Sequence, residues 1–234
     1  MDNQLPIQDF YEFPRKSDNS IYLLIKNNPY FFIPYSIFLV IGAFFILYFG
    51  RGDILLYINT IHNPALDGFF YYVTIIGDGW FVGALLIPLA FIRVRYSVQI
   101  LASYLTTGAL VQILKRLFDM PRPLKYFGEG VALNLVEGIE VFKHNSFPSG
   151  HSASAFSLFL VLSIIVKNKA WGLAFFFGAM TVAVSRVYDV QHFFIDIYFG
   201  SLIGVILTLL TYRLAEIIGI VKRISWLAGI KKTQ

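Results

Sequence analysis

The stretch YFFIPYSIFLVIGAFFILYFG, residues 30–50, contains no charged side chain, and the nearest charges on either side are Lys26 and Arg51. A helix needs roughly 20 apolar residues to cross a bilayer, so this stretch predicts a membrane-spanning helix. Comparable apolar runs follow at about 76–94, 97–117, 151–166, 170–187 and 193–215. The fourth and fifth of the six runs are short, so we expect less apolar turns to extend them.

The composition agrees with a membrane protein. Of the 234 residues, 57% are hydrophobic and 14% are charged, whereas a typical soluble domain has about 25% charged residues. The net charge of +5 could indicate a nucleic-acid partner, but the cations lie near the ends of apolar runs, so we predict none. The chain has no cysteine, which excludes a disulfide, a thiolate metal site and a cysteine nucleophile.

These observations predict an all-α integral membrane protein, a bundle of six transmembrane helices. A short interfacial helix is expected within residues 51–75, and an outer-face loop at about 118–150 is expected to carry part of the functional site. We predict a polar N-terminal segment at 1–28, cytoplasmic or interfacial, then the membrane domain at 29–218. A basic cytoplasmic tail would follow at 219–234.

The positions of lysine and arginine predict the orientation, because short cytoplasmic loops are enriched in both. With the N-terminus inside, the cytoplasmic segments contain Arg15, Lys16, Lys26, Arg93, Arg95, Lys167, Lys169, Lys222, Arg223, Lys231 and Lys232. The opposite face contains Arg51, Lys115, Arg116, Arg122, Lys125, Lys143 and Arg186. We therefore predict a multi-pass protein of the inner (plasma) membrane with both termini cytoplasmic and its site on the periplasmic or extracytoplasmic side.

Three motifs place ionisable residues beside the apolar runs, where such residues are costly and usually functional. In the first motif, Lys115 precedes Arg122-Pro123 and is expected in the last turn of the third run. Arginine suits bidentate contact with phosphate, and lysine acts as a more compact charge. Taken alone, both could be ordinary flanking cations that extend to the membrane interface.

The second motif, Pro148-Ser149-Gly150-His151, leads directly into the fourth run. A helix N-terminus binds anions through its free N–H groups and its dipole. Ser149 can cap this helix, Gly150 permits close approach of a ligand, and His151 could protonate a leaving oxygen. The alternative interpretation is a routine serine cap beside a solvated histidine.

The third motif is the most specific, with Ser185-Arg186 followed by His192 and Asp196. A spacing of four places His192 and Asp196 on one face of a helix. The carboxylate can then fix the tautomer of the imidazole and leave the other ring nitrogen free to attack phosphorus. Metal ligation is a rival use of this pair, but the three motif cations would repel a divalent ion.

In this order and at these intervals, the three motifs resemble the membrane-bound type 2 phosphatidic acid phosphatase superfamily over about residues 60–215. The resemblance implies that His192 is a nucleophile forming a phospho-histidine, that Asp196 orients it, and that His151 is the general acid and then the base. The residues that it implies for holding the phosphoryl oxygens are Lys115, Arg122, Ser149, Gly150 and Arg186. It also implies that no metal or cofactor is needed.

Together these features predict a metal-independent phosphatase acting on a membrane lipid in the bilayer. The bond would be a phosphate monoester or diphosphate, with undecaprenyl diphosphate, phosphatidylglycerophosphate, phosphatidic acid and lipid A phosphate all open. A lipid-phosphate transporter or binding protein is the alternative, although it would not need both histidines and the aspartate. Vanadate-dependent halide oxidation is a third possibility, against which the apolar runs count.

Overall fold

The computed structural model describes residues 21–217, and within this range every regular element is helical. The helices are α1 Ile21–Lys26, α2 Pro29–Tyr48, α3 Asp53–Asn59, α4 Pro64–Ile75, α5 Gly79–Phe118, α6 Pro123–Phe127, α7 Gly150–Ile165, α8 Trp171–Tyr188 and α9 Phe194–Ile217. A 3-10 turn, Gly128–Gly130, follows α6. The predicted all-α class is therefore confirmed for the described residues.

Within the described range, four helices are long and apolar enough to cross a membrane, namely α2, α5, α8 and α9. The apolar α7 is shorter, with 16 residues. Large apolar side chains point outward from these helices, and Leu47 and Phe91 are 87% and 89% exposed. An apolar surface of this extent suits contact with lipid rather than with water.

Helix α5 consists of two arms, residues 79–92 and 94–118, that fold back on each other at Arg93. The backbone of Arg93 is non-helical, with φ −158° and ψ 116°. The Ser97 hydroxyl donates to the carbonyl of Leu86 at 2.7 Å. In one straight helix these residues would be separated by about 16 Å, because each residue adds about 1.5 Å. The arms therefore correspond to the separate runs predicted at 76–94 and 97–117.

Helix α7 lies at the centre of the bundle, packed against α5, α8 and α9. Two glycines of α9 allow its backbone to approach α7 directly. A Cβ at Gly200 would lie 2.6 Å from the Ser149 carbonyl oxygen, and one at Gly204 would lie 2.3 Å from that of Ala153. Small residues permit such close helix packing in membranes. This packing holds the beginnings of α7 and α9 side by side.

The remaining helices surround this centre. Aromatic rings connect α2 to the core, with Phe31 packed on Phe176 at a centroid distance of 6.1 Å and Tyr35 on Phe156 at 5.6 Å. Helices α3 and α4 pack on α8. They occupy the region predicted to contain an interfacial helix, and their position relative to a membrane stays a prediction.

The predicted outer loop of residues 118–150 contains α6 and the 3-10 turn. The predicted N-terminal segment, residues 1–28, overlaps the described range only from Ile21, and the predicted tail, residues 219–234, lies outside it.

Candidate active site

A cavity of about 290 Å³ lies where α5, α7, α8 and the turn before α9 meet. Residues from all three sequence motifs line this cavity, namely Lys115, Arg122, Gly150, His151, Arg186 and His192. Asp78, Tyr104 and Gln112 are also among its lining residues. Side chains separated by up to 114 positions in the sequence, from Asp78 to His192, therefore face one volume large enough for a phosphoryl group and part of its substituent.

Lys115 and Arg122 enter the cavity from the end of α5 and the start of α6. Lys115 lies in the last turn of α5, and Arg122 is the N-cap of α6. The Arg122 side chain is held in place because its Nε donates to the carbonyl of His144 at 2.9 Å and its Nη1 donates to Oε1 of Gln191 at 2.6 Å. Burial, reinforced by the charge of Arg186, lowers the pKa of Arg122 to about 10, so the guanidinium stays positively charged at neutral pH.

Arg186, in the last turn of α8, is 6% exposed. Its Nη1 donates to the hydroxyl of Thr74 and lies 3.5 Å from Oδ2 of Asp189. Burial raises the pKa of Asp189 to about 7, although Arg186 acts in the opposite direction. Asp189, to which the sequence motifs assign no role, thus lies beside Arg186 and helps to orient it.

His192 is almost completely buried, with 1% of its surface exposed. Its Nδ1 lies 3.5 Å from Oδ2 of Asp196, which is longer than a well-formed hydrogen bond. Burial, together with the positive charges of Arg122, Lys115 and Arg186, lowers the pKa of His192 well below its ordinary value of 6.5. The imidazole is therefore neutral at neutral pH, which leaves one ring nitrogen with a free electron pair.

The expected helical relation between His192 and Asp196 is wrong. α9 begins at Phe194, so His192 lies in the turn that precedes the helix. In this turn the N–H of His192 donates to the carbonyl of Arg186 at 3.0 Å. Oδ2 of Asp196 accepts from the N–H of Phe193 at 2.9 Å and from the hydroxyl of Ser146. The turn, rather than a helix face, brings the two side chains together.

Residues 96–218 match the model of the PAP2 superfamily. The chain belongs to the PAP2 superfamily. It is 26% identical over 170 residues to dihydrosphingosine 1-phosphate phosphatase C823.11 of Schizosaccharomyces pombe, which covers 68% of this chain and 40% of that protein. It is 27% identical over 171 residues to lipid A 4'-phosphatase of Porphyromonas gingivalis, with 69% of this chain and 71% of that protein covered.

Among solved structures, the chain resembles Aquifex aeolicus LpxE with a TM-score of 0.63 and 30% identity, over 72% of this chain and 98% of that chain. The chain spans only about two fifths of the length of the fission-yeast protein. Its apolar helices and its PAP2 relatives show a multi-pass membrane protein.

The second PAP2 motif forms the start of α7. Ser149 is its N-cap, and the serine oxygen accepts from the N–H of Ser152 at 3.4 Å. Ser149 is fully buried and is not among the residues that line the cavity. Its own N–H donates to the carbonyl of Asp196 at 3.0 Å. Gly150 and His151 line the cavity. The first N–H groups of a helix have no partner within it, so those of Gly150 and His151 are suited to an anion.

Three polar residues outside the motifs complete the surroundings of the site. Ser146 donates to Asp196, Gln191 accepts from Arg122, and Oδ1 of Asp78 lies 2.9 Å from Nε2 of His151. None of the contacts of these three residues was predicted from the sequence. Each is a single polar residue in a connecting segment, and no spacing in the sequence relates it to its partner.

Proposed function

We propose that this PAP2 protein is a lipid phosphatase that hydrolyses a phosphate monoester or diphosphate on a membrane lipid without a metal ion. One observation carries the proposal, namely that three basic side chains and two histidines line a single cavity. The cations suit a tetrahedral phosphoryl anion. A neutral imidazole and a second histidine supply the nucleophile and the acid that hydrolysis needs. The two named relatives act on phosphorylated lipids, which supports the same substrate class.

In the first step, the free nitrogen of His192 attacks phosphorus while Asp196 accepts from the opposite ring nitrogen. A P–N bond forms and the bond between phosphorus and the leaving oxygen breaks, with its electron pair remaining on that oxygen. His151 donates a proton to the same oxygen, so the lipid alcohol or lipid phosphate leaves protonated. The products of this step are the leaving group and a phospho-histidine at His192.

In the second step, His151 takes a proton from water, and the water oxygen attacks phosphorus. The P–N bond breaks, inorganic phosphate leaves, and His192 returns to its neutral state. The phosphoryl oxygens, or the backbone that contacts them, are proposed to be held by Lys115, Arg122, Arg186, Ser149 and Gly150. Preorganised donors of this kind typically contribute ~10²–10³-fold each to the rate.

The bundle is proposed to cross the membrane six times. The two arms of α5 would each cross, because the chain reverses at Arg93, and α7 would cross despite its length. Arg93 and Arg95 then lie at the opposite end of the hairpin from Lys115. They fall on the same side as Lys167 and Lys169, between α7 and α8. The positive-inside rule makes that side cytoplasmic, so the cavity opens outward beside the lipid headgroups.

Purified protein tested with a panel of lipid phosphates, with and without EDTA, separates the candidate activities. We expect phosphate release that is unaffected by EDTA and lost in His192→Ala. The panel contains undecaprenyl diphosphate, phosphatidylglycerophosphate, phosphatidic acid and a phosphorylated lipid A, which also identifies the preferred substrate. Binding of all four without release would indicate a lipid-phosphate binding protein or transporter. Halide oxidation on addition of vanadate and peroxide would indicate that the protein is a vanadate-dependent halide-oxidising enzyme.

A further inference from the structure

His151 has a carboxylate partner from a part of the chain that none of the three motifs includes. Asp78 lies between α4 and α5, and its Oδ1 is 2.9 Å from Nε2 of His151. Both side chains are partly exposed, with 43% of Asp78 and 26% of His151 accessible, and both line the cavity. The pair therefore borders the space in which a phosphoryl group would lie.

The backbone around Asp78 is shaped for this contact. A Cβ at Gly77 would lie 2.8 Å from Cδ2 of His151, and a Cβ at Gly79 would lie 2.6 Å from the hydroxyl oxygen of Tyr104. Real Cβ atoms do not approach other atoms this closely, so glycine on both sides of Asp78 permits the approach. The turn can then place the carboxylate directly against the imidazole.

Asp78 also does not cap the helix that follows it, although its position in the chain would ordinarily lead it to do so. It is the N-cap residue of α5, where an aspartate usually accepts from the first N–H groups of the helix. Its side chain makes no such capping bond. The hydrogen bond from His151 lowers the pKa of Asp78 below its ordinary value, so the carboxylate is ionised at neutral pH and accepts from the imidazole.

The charges around the cavity explain why His151 needs an anionic partner. Lys115, Arg122 and Arg186 line the same cavity, and the neutral imidazole of His192 completes it. Each positive charge disfavours a second proton on His151, whereas an adjacent carboxylate favours it. A general acid must hold its proton until the leaving oxygen takes it.

We propose that Asp78 is a positioning residue that acts through His151. It accepts a hydrogen bond from Nε2–H, so Nδ1 is the ring nitrogen left to carry a proton for the leaving oxygen. When the bond between phosphorus and oxygen breaks, that proton moves from Nδ1 to the oxygen, while Asp78 stays ionised throughout. This inference rests on the proposed phosphatase activity and adds a second histidine–carboxylate pair to it.

A double-mutant cycle tests whether Asp78 acts through His151. Phosphate release from the best lipid phosphate is measured for the wild type, Asp78→Asn, His151→Ala and the double variant. We expect Asp78→Asn to lower kcat by roughly 10- to 100-fold, a part of the ~10²–10⁴-fold that a positioned general acid contributes. In the His151→Ala background the same change should lower kcat less than about twofold. An equal loss in both backgrounds, or no loss in the first, would overturn the proposal.

The pH dependence of kcat supplies a second readout that a structural role would not move. The amide of Asp78→Asn cannot favour a protonated imidazole, so the alkaline limb of the profile should shift to lower pH by about one unit. An unshifted limb would count against the proposal even if the rate fell. Asp119→Asn is the matched control, because this exposed carboxylate lies near His144 and outside the cavity lining, and we expect a profile like that of the wild type.

These outcomes are distinguishable from a failure of the proposed function. Wild-type protein that released no phosphate, or full release by His192→Ala, would contradict the phosphatase assignment itself. The proposed role of Asp78 would be contradicted by a different result. In that case the wild type is active and His192→Ala is inactive, but Asp78→Asn behaves like the control Asp119→Asn.

Discussion

At the scale of single residues, we propose that the carboxylate of Asp196 determines which nitrogen of His192 can react. Its Oδ2 accepts from Ser146 and from the N–H of Phe193, so the buried side chain is fixed before a substrate arrives. Asp196→Asn preserves the shape but removes the anion that is proposed to orient the imidazole. We expect kcat to fall about 10²–10⁴-fold, with little change in the unfolding temperature. Near-normal turnover in this variant would show that the imidazole needs no orienting carboxylate.

Arg122 illustrates why charge alone does not define the site. Its guanidinium is fixed by bonds to His144 and Gln191, and a lysine cannot reproduce this planar arrangement. We expect Arg122→Lys to lower kcat/KM by roughly 10- to 100-fold, the loss of one bidentate contact in the transition state. Arg116→Lys is the matched control, because Arg116 is an exposed residue in the last turn of α5 and should tolerate the change. Similar rates for the two variants would contradict the role of Arg122.

The lowered pKa of His192 predicts the acid side of the pH profile. A histidine with a depressed pKa stays neutral as pH falls through 6.5, so the nucleophile should be lost only below that value. We expect the acid limb of kcat/KM to lie below pH 6.5, measured with a substrate whose own phosphate ionisation, near pH 6, has been titrated separately. A limb above 6.5 that is not due to the substrate would indicate that His192 is protonated in the free protein.

At the scale of elements, the site depends on how closely α9 approaches α7. A Cβ at Gly204 would lie 2.3 Å from the carbonyl of Ala153, whereas one at Gly83 would meet nothing within 4 Å. We expect Gly204→Ala to destabilise the protein by about 1–3 kcal/mol, the usual result of overpacking, and to lower activity by displacing Asp196. Gly83→Ala is the control and should be neutral or slightly stabilising. Thermal unfolding in detergent measures both, and equal stability would show that the helices can separate without cost.

The helices themselves could be predicted from apolar run length, and the cap of α7 from Ser149 at its start. The geometry that relates His192 to Asp196 could not be predicted. A spacing of four fits one helix face, but it also fits the arrangement found here, in which His192 lies in the turn before Phe194. The partners of the motif residues were also beyond sequence reasoning. Asp78 and His151 are 73 positions apart, and only the packing of α5 against α7 brings them together. Local patterns carry information on elements, whereas contacts between elements depend on packing.

At the scale of the whole molecule, the proposal requires the cavity to open outside the cytoplasm. A reporter inserted near residue 135 should be active on the outer side, and one inserted near residue 168, between α7 and α8, should be active on the cytoplasmic side. Both positions lie in connecting segments of the described chain, so the bundle should tolerate them. A cytoplasmic signal at 135 would reverse the orientation and place the substrate in the inner leaflet.

The central claim is that the imidazole of His192, which shares one cavity with three basic side chains, takes the phosphoryl group from the lipid. Turnover quenched under alkaline conditions, which preserve phospho-histidine, followed by peptide mass spectrometry tests this claim directly. We predict a phosphorylated peptide containing His192 in the wild type, and none in His192→Ala. Phosphate found on a different side chain, or undiminished hydrolysis by His192→Ala, would contradict it.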